Sequence, residues 1–141
     1  MLRIFSYVMY STFVLSLAAG AALAATASPV GLWVGEGQPH DPEIISYDAF
    51  SADGTFRFEF RKYDDCEIVY HSIEEGSWIR EGDLITTHIY KLNGKPAFYS
   101  HVYRYEFESD EEIHVRHLGM GDLYVERRVD SFEFPACWFG S

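Results

Sequence analysis

The chain has 141 residues, with 11 Lys and Arg against 22 Asp and Glu, a formal net charge of −11 and 17% aromatic residues. A chain this acidic does not track a phosphate backbone and offers no basic stripe to anionic lipid, so nucleic-acid binding and membrane-surface binding are excluded.

Met1–Ala25 differs in kind from the rest. Arg3 is its only charge, residues 13–19 form an apolar run, and Ala22-Leu23-Ala24 offers the small residues that signal peptidase reads. The pattern predicts a signal peptide over residues 1–24, with cleavage near Ala24 and with Ala25 and Ala27 as alternative sites. The rival is an uncleaved anchor, since residues 4–25 nearly reach membrane-span length. Their Ser, Tyr and Thr content and Ala-rich end argue against it. The mature chain, residues 25–141, is then exported, to the periplasm or beyond. It is one domain in size, and no second apolar span inserts it in a membrane. It keeps 10 basic residues against 22 acidic ones, a net charge of −12.

The mature part reads as short strands and tight turns. In chain order the strands are 32–35, 44–50, 55–62, 66–72, 76–80, 84–91, 97–107, 112–118 and 123–129. The third is the clearest: Phe56, Phe58 and Phe60 alternate with Arg57, Glu59 and Arg61, one face buried and one wet. Asp53-Gly54 and Asn93-Gly94 are hairpin turn signals, because Gly supplies positive φ. Asp64-Asp65, residues 81–83, 108–110 and 119–121 supply further breaks. No stretch has a sustained helical period; short helices are expected at most at 39–43 or near 129–134. The predicted fold class is all-β: an antiparallel up-and-down β-barrel of about eight or nine strands, with a two-sheet sandwich as runner-up. Closure removes exposed sheet edges, and the links are short for Greek-key crossovers.

Two cysteines, Cys66 and Cys137, lie beyond the signal. In an oxidising compartment such a pair forms a disulfide. The bridge closes a loop of about 70 residues, worth on the order of 4 kcal/mol in the chain-entropy picture. It ties the C-terminal tail to the fourth strand.

Gly31-Leu32-Trp33, at the start of the first strand, resembles the first lipocalin signature. In that family the Trp plugs one end of the barrel under an Arg from the last strand, a part that Arg127 or Arg128 takes by resemblance. Many lipocalins also bridge the tail to a strand, as Cys66 and Cys137 would. The middle of the chain is similar to compact bacterial lipocalin-like domains: Phe50-Ser51-Ala52-Asp53-Gly54-Thr55-Phe56, then Gly76-Ser77-Trp78, then Gly82-Asp83-Leu84-Ile85. The resemblance covers most of residues 31–129. The mature chain is shorter than a typical lipocalin and has no Thr-Asp-Tyr motif.

Chemistry motifs are sparse. His114 and His117 are three apart and point to opposite faces of a regular strand. His71, His88, His101 and His114 lie on successive long strands and could meet across a sheet. No His or Cys cluster has metal-ligand spacing, and no nucleophile elbow or phosphate loop occurs. The acidic runs at 64–67 and 110–112 sit at turns, where solvated charge is the rule. No catalytic residue, metal site or cofactor is assigned, and the chain is not read as an enzyme. The interior is the remaining clue. Tyr99, His101, Tyr103, Tyr105 and Phe107 alternate on one face of a long strand. With Phe56, Phe58 and Phe60 they either fill a small barrel or line a cavity for a small apolar or amphipathic ligand. The expected function is an exported lipocalin-like binder of such a ligand. The alternative is a secreted or periplasmic inhibitor or adaptor that docks a basic envelope or secreted protein on its acidic outer face.

Overall fold

The computed structural model describes residues 28–140. The predicted signal peptide lies outside the described residues, except that its alternatives leave the mature chain beginning just before them. Eight strands follow one another: β1 (Gly31–Gln38), β2 (Asp41–Phe50), β3 (Thr55–Asp64), β4 (Glu67–Glu81), β5 (Leu84–Leu92), β6 (Lys95–Glu108), β7 (Glu112–His117) and β8 (Leu123–Val129). Each pairs antiparallel with the next, and β8 returns to β1, giving a closed up-and-down barrel. No helix is present among the described residues.

The expected strands at 66–72 and 76–80 are a single strand, β4. Residues 73–75 do not turn; they stay paired to β3 as Ile73–Glu59, Glu74–Phe58 and Glu75–Arg57. The irregularity there is a bulge between Glu75 and Gly76. A Cβ on Gly76 would sit 1.8 Å from the His88 carbonyl oxygen, so only glycine permits this approach. The short helices expected at 39–43 and near 129–134 do not form. Pro39 and His40 make the β1–β2 turn, and Asp41 already begins β2.

Cys66 lies in the turn before β4 rather than in the strand. Asp65 (φ 46°) and Cys66 (φ 66°) both adopt left-handed backbone, as a two-residue hairpin with the twist of its strands demands. Cys66 bonds Cys137. The tail after β8 therefore runs as an extended strap over the outside of β1–β3. Phe132 stacks on Tyr47 at 4.8 Å, Arg61 lies 4.0 Å over Phe134, and the strap covers Val34, Ile45 and Tyr63. Stacking and the disulfide, not helical hydrogen bonds, hold this segment.

Candidate functional site

One end of the barrel is filled. Phe50 from β2 meets Phe58 from β3 and Trp78 from β4 edge to face, and Phe56 lies tilted against Phe50 and Phe58, with ring centres 4.3–6.5 Å apart. Trp33 is 1% exposed and donates its indole N–H to the Pro29 carbonyl at 2.9 Å. The guanidinium of Arg128 lies 4.2 Å over the Trp33 ring and donates to the carbonyls of Ser28, Val30 and Asp110. Gly31, with φ of 141°, leaves the space for it: a Cβ there would come within 2.3 Å of Arg128 Nη1. Of the two candidate arginines, then, it is Arg128 that covers Trp33. Arg127 points outward and pairs with Glu36 at 2.8 Å. Arg80, set 4.1 Å over the Tyr105 ring and paired with Glu108, adds a second cation–aromatic contact at this end.

The other end is hollow. Toward the β1–β2 and β7–β8 turns the barrel contains a cavity of about 180 Å³. Its apolar wall includes Phe50, Phe58, Phe60, Ile85, Ile113 and Val115; its polar wall includes Ser46, Asp48, Glu74, Thr87, His101 and Glu126. Tyr103, Tyr105 and Tyr124 complete the lining. Gln38, Phe60, Glu74, Met120 and Tyr124 are shared with a wider outer vestibule of about 290 Å³, which is the way in. Gly35 contributes by absence, because a Cβ there would meet Ser46 Oγ at 2.6 Å.

The electrostatics of this half are unusual for a barrel core. Asp48 on β2 and Glu126 on β8 are both buried in the cavity wall, close enough to influence each other's ionisation. Two carboxyls buried together favour holding a proton between them. Burial, then mutual repulsion, raises Asp48 well above the ordinary carboxylate range, and burial raises Glu126 as well. Glu74 on β4 is raised by burial, partly offset by the Tyr99 hydroxyl donating to it at 3.0 Å. Burial first, and the nearby carboxylate Glu74 second, push Tyr99 up to about 12 and Tyr103 higher still, so these phenols stay neutral. Two polar atoms in the cavity wall have no partner: Asp48 Oδ1 and Thr87 Oγ1.

A histidine pair sits beside them. The Met120 backbone N–H donates to His117 Nδ1 at 3.0 Å, so in the neutral ring the His117 proton is on Nε2. His117 Nε2 then donates to His101 Nδ1 at 2.8 Å, which places the His101 proton on its own Nε2. Burial, with His117 alongside, lowers the His101 pKa. The pair links the β7–β8 turn at the mouth to the cavity wall.

The sequence-predicted lining residues divide. Phe58, Phe60, His101, Tyr103 and Tyr105 line the cavity. Phe56 packs into the filled end, and Tyr99 packs against the core beside its bond to Glu74. Phe107 does not share their face. A bulge between Tyr105 and Phe107 rotates it outward, where it is exposed against His114. The histidines on successive strands do not converge: His71 contacts Glu59, His88 contacts Ser100, and His114 contacts Glu112. Among the described residues no group of three His, Cys, Asp or Glu is placed to hold a metal ion.

Sequence reading missed Asp48, Glu74, Glu126, Thr87 and His117. For Asp48 a signal existed, since it shares parity with the inward Phe50. For Glu126 the signal misled. Leu123 and Val125 suggest that the odd-numbered face of β8 is buried, yet both are exposed while Tyr124 and Glu126 point in.

An eight-stranded closed antiparallel barrel is compatible with the lipocalin-like fold that the motifs resemble. No protein-family model matches the chain, and neither does any curated protein.

Proposed function

We propose that the protein is an exported binding protein that holds one small amphipathic molecule in the hollow half of its barrel. The observation that carries this reading is a cavity of about 180 Å³ whose wall combines aromatic rings with unpartnered polar atoms. A buried polar atom without a partner is costly, and native interiors contain few. A ligand that hydrogen-bonds to Asp48 and Thr87 removes the cost. The volume sets the scale. An apolar cavity of about 150 Å³ takes one benzene-sized ring, so the site suits one substituted ring or a body of similar bulk, with any excess in the vestibule. It does not suit a long acyl chain held wholly inside.

Export is part of the proposal. It rests on the Met1–Ala25 pattern and on the Cys66–Cys137 disulfide, a bond that persists in oxidising compartments. No helix among the described residues is long and apolar enough to cross a membrane.

The test is native mass spectrometry of the protein purified from its own compartment without detergent. The expected result is a reproducible adduct of roughly 100–200 Da, the mass of a single substituted ring, lost on denaturation and lost in Tyr103→Ala. A protein that acts only through its outer face gives a bare mass in every preparation, and that result would sink the reading.

A further inference from the structure

The cavity holds three carboxyls and no permanent cation. Asp48 and Glu126 meet from β2 and β8, and Glu74 faces the same space from β4. Among the described residues, no Lys or Arg lines it. Elsewhere in this barrel buried carboxylates are matched: Glu59, on the outer face of β3, is bonded by Arg57, Arg61 and His71. Inside, Glu74 accepts from the Tyr99 hydroxyl, but no Lys or Arg among the described residues lining the cavity matches any of the three. Thr87 makes an independent case. Its side chain is 1% exposed, borders the cavity and has no partner for its hydroxyl. Buried charge without a counter-charge and a buried hydroxyl without a partner both point to a missing occupant that is polar and positive.

We propose that the cavity binds a small organic cation, an ammonium group on a compact aromatic or aliphatic body, with Asp48 and Glu126 as its counter-charge. This deepens the reading of the barrel as a small-molecule binder, rests on it, and assigns the charge of the ligand. The charge balance is simple. Without a ligand, the two buried carboxyls hold one proton between them and carry one negative charge. When the ammonium enters, that proton leaves to solvent, both carboxylates are ionised, and the ammonium restores the net charge to one negative. The bound cation thus takes the place of the shared proton, and the interior gains no net charge.

The surroundings suit this exchange. Phe58, Phe60 and Tyr103 present rings to the same space, and aromatic faces attract ammonium groups. Thr87 Oγ1 accepts one N–H bond. Asp41, paired with Lys62, and Asp122, whose Oδ1 meets His40, border the vestibule, and Asp122 Oδ2 is itself buried without a partner. With a chain charge of −11, the mouth draws cations inward. A metal cation is a poorer fit, since no group of three donor side chains among the described residues could hold one.

The other titratable groups facing the pair are Glu74 from β4, His101, Tyr103 and Tyr105 from β6, His117 from β7 and Tyr124 from β8. Burial holds the phenols neutral, and His101, lowered by burial, carries no charge at alkaline pH to repel a cation. From β3 and β5 the facing side chains are uncharged.

The experiment is calorimetry on the mature protein at pH 8 with three probes of one shape: 2-phenylethylamine, 2-phenylethanol and phenylacetate. Two buffers of different ionisation heat count the protons released. The amine is expected to bind one to one, at least about tenfold more tightly than the alcohol, with release of about one proton, while phenylacetate does not bind. The near-isosteric double variant Asp48→Asn/Glu126→Gln, checked as folded by circular dichroism, is expected to lose the preference for amine. An alcohol that binds as well as the amine, or a double variant that keeps the preference, overturns the cation assignment and leaves the binding reading standing. Binding of none of the three also overturns the assignment. If the native mass is then bare as well, the binding reading falls with it.

Discussion

The two ends of this barrel use the same strands for opposite purposes. Around Trp33 and Trp78, ring meets ring, each indole N–H has a carbonyl, and two arginines lie across aromatic faces. A few residues further along the same strands, Asp48, Glu126, Thr87 and His101 face one another across open space. Trp33 and Gly35 are two positions apart on β1, as are Asp48 and Phe50 on β2, and Phe50 serves both halves, meeting the rings of the filled end and bordering the cavity that Asp48 lines. The same eight strands run through both halves, so stability and binding are not assigned to different elements but to different levels of one cylinder.

The comparison can be broken at its most solid point. Phe56→Ala, in the filled end, should cost about 3–5 kcal/mol of stability in urea titration, whereas Tyr103→Ala, beside an existing void, should cost about 2 kcal/mol or less and abolish the adduct. Equal losses would mean that the cavity is as tightly packed as the plug. Next in size is the strap. Replacing Cys66 and Cys137 together by Ser should lower stability by about 2–4 kcal/mol without altering ligand affinity, because the bridge lies outside the barrel.

A third effect has a sign that depends on pH. Asp48 and Glu126 have native pKa values raised above their unfolded values, so the folded state binds more protons. Their favourable contribution is fully present below the unfolded values near pH 4 and is lost as pH rises through the raised native ones. The empty Asp48→Asn/Glu126→Gln variant should therefore gain on the wild type with rising pH, by of order 1–2 kcal/mol at pH 8. A melting-temperature difference that stays flat from pH 5 to pH 8 would show that the pair is not buried together. The smallest contrast is between neighbours. Arg128→Gln should cost about 1–2 kcal/mol by uncovering the Trp33 ring, and Arg127→Gln, which breaks only a surface ion pair, less than about 0.5 kcal/mol.

The filled end was readable from sequence because it is built from local patterns. Gly31-Leu32-Trp33, Asp53-Gly54-Thr55 and the alternation Phe56, Phe58, Phe60 each state their own turn or face within a few residues. The cavity was not readable because it is a matter of register. Asp48 and Glu126 are far apart in the chain and meet only because β2 and β8 flank β1 in the closed barrel. Their own strands disguise them: β8 exposes Leu123 and Val125 while it buries Glu126 and half-buries Tyr124, the reverse of what hydrophobicity suggests. Phe107 fails for a related reason. Period two holds along β6 until one bulge shifts the parity, and no residue type at 105–107 announces that shift.

The barrel is closed by its shortest seam, where β1 and β8 pair only over Leu32–Val129, Trp33–Arg128 and Val34–Arg127. A sheet rolled into a tube is weakest along such a line, and there it would begin to unroll. The C-terminal strap starts at the end of β8, crosses the outside of β1 and β2, and is locked at the turn after β3. It is a suture over the seam. While the disulfide holds, neither edge can peel away alone, and the tube opens only if three strands let go together.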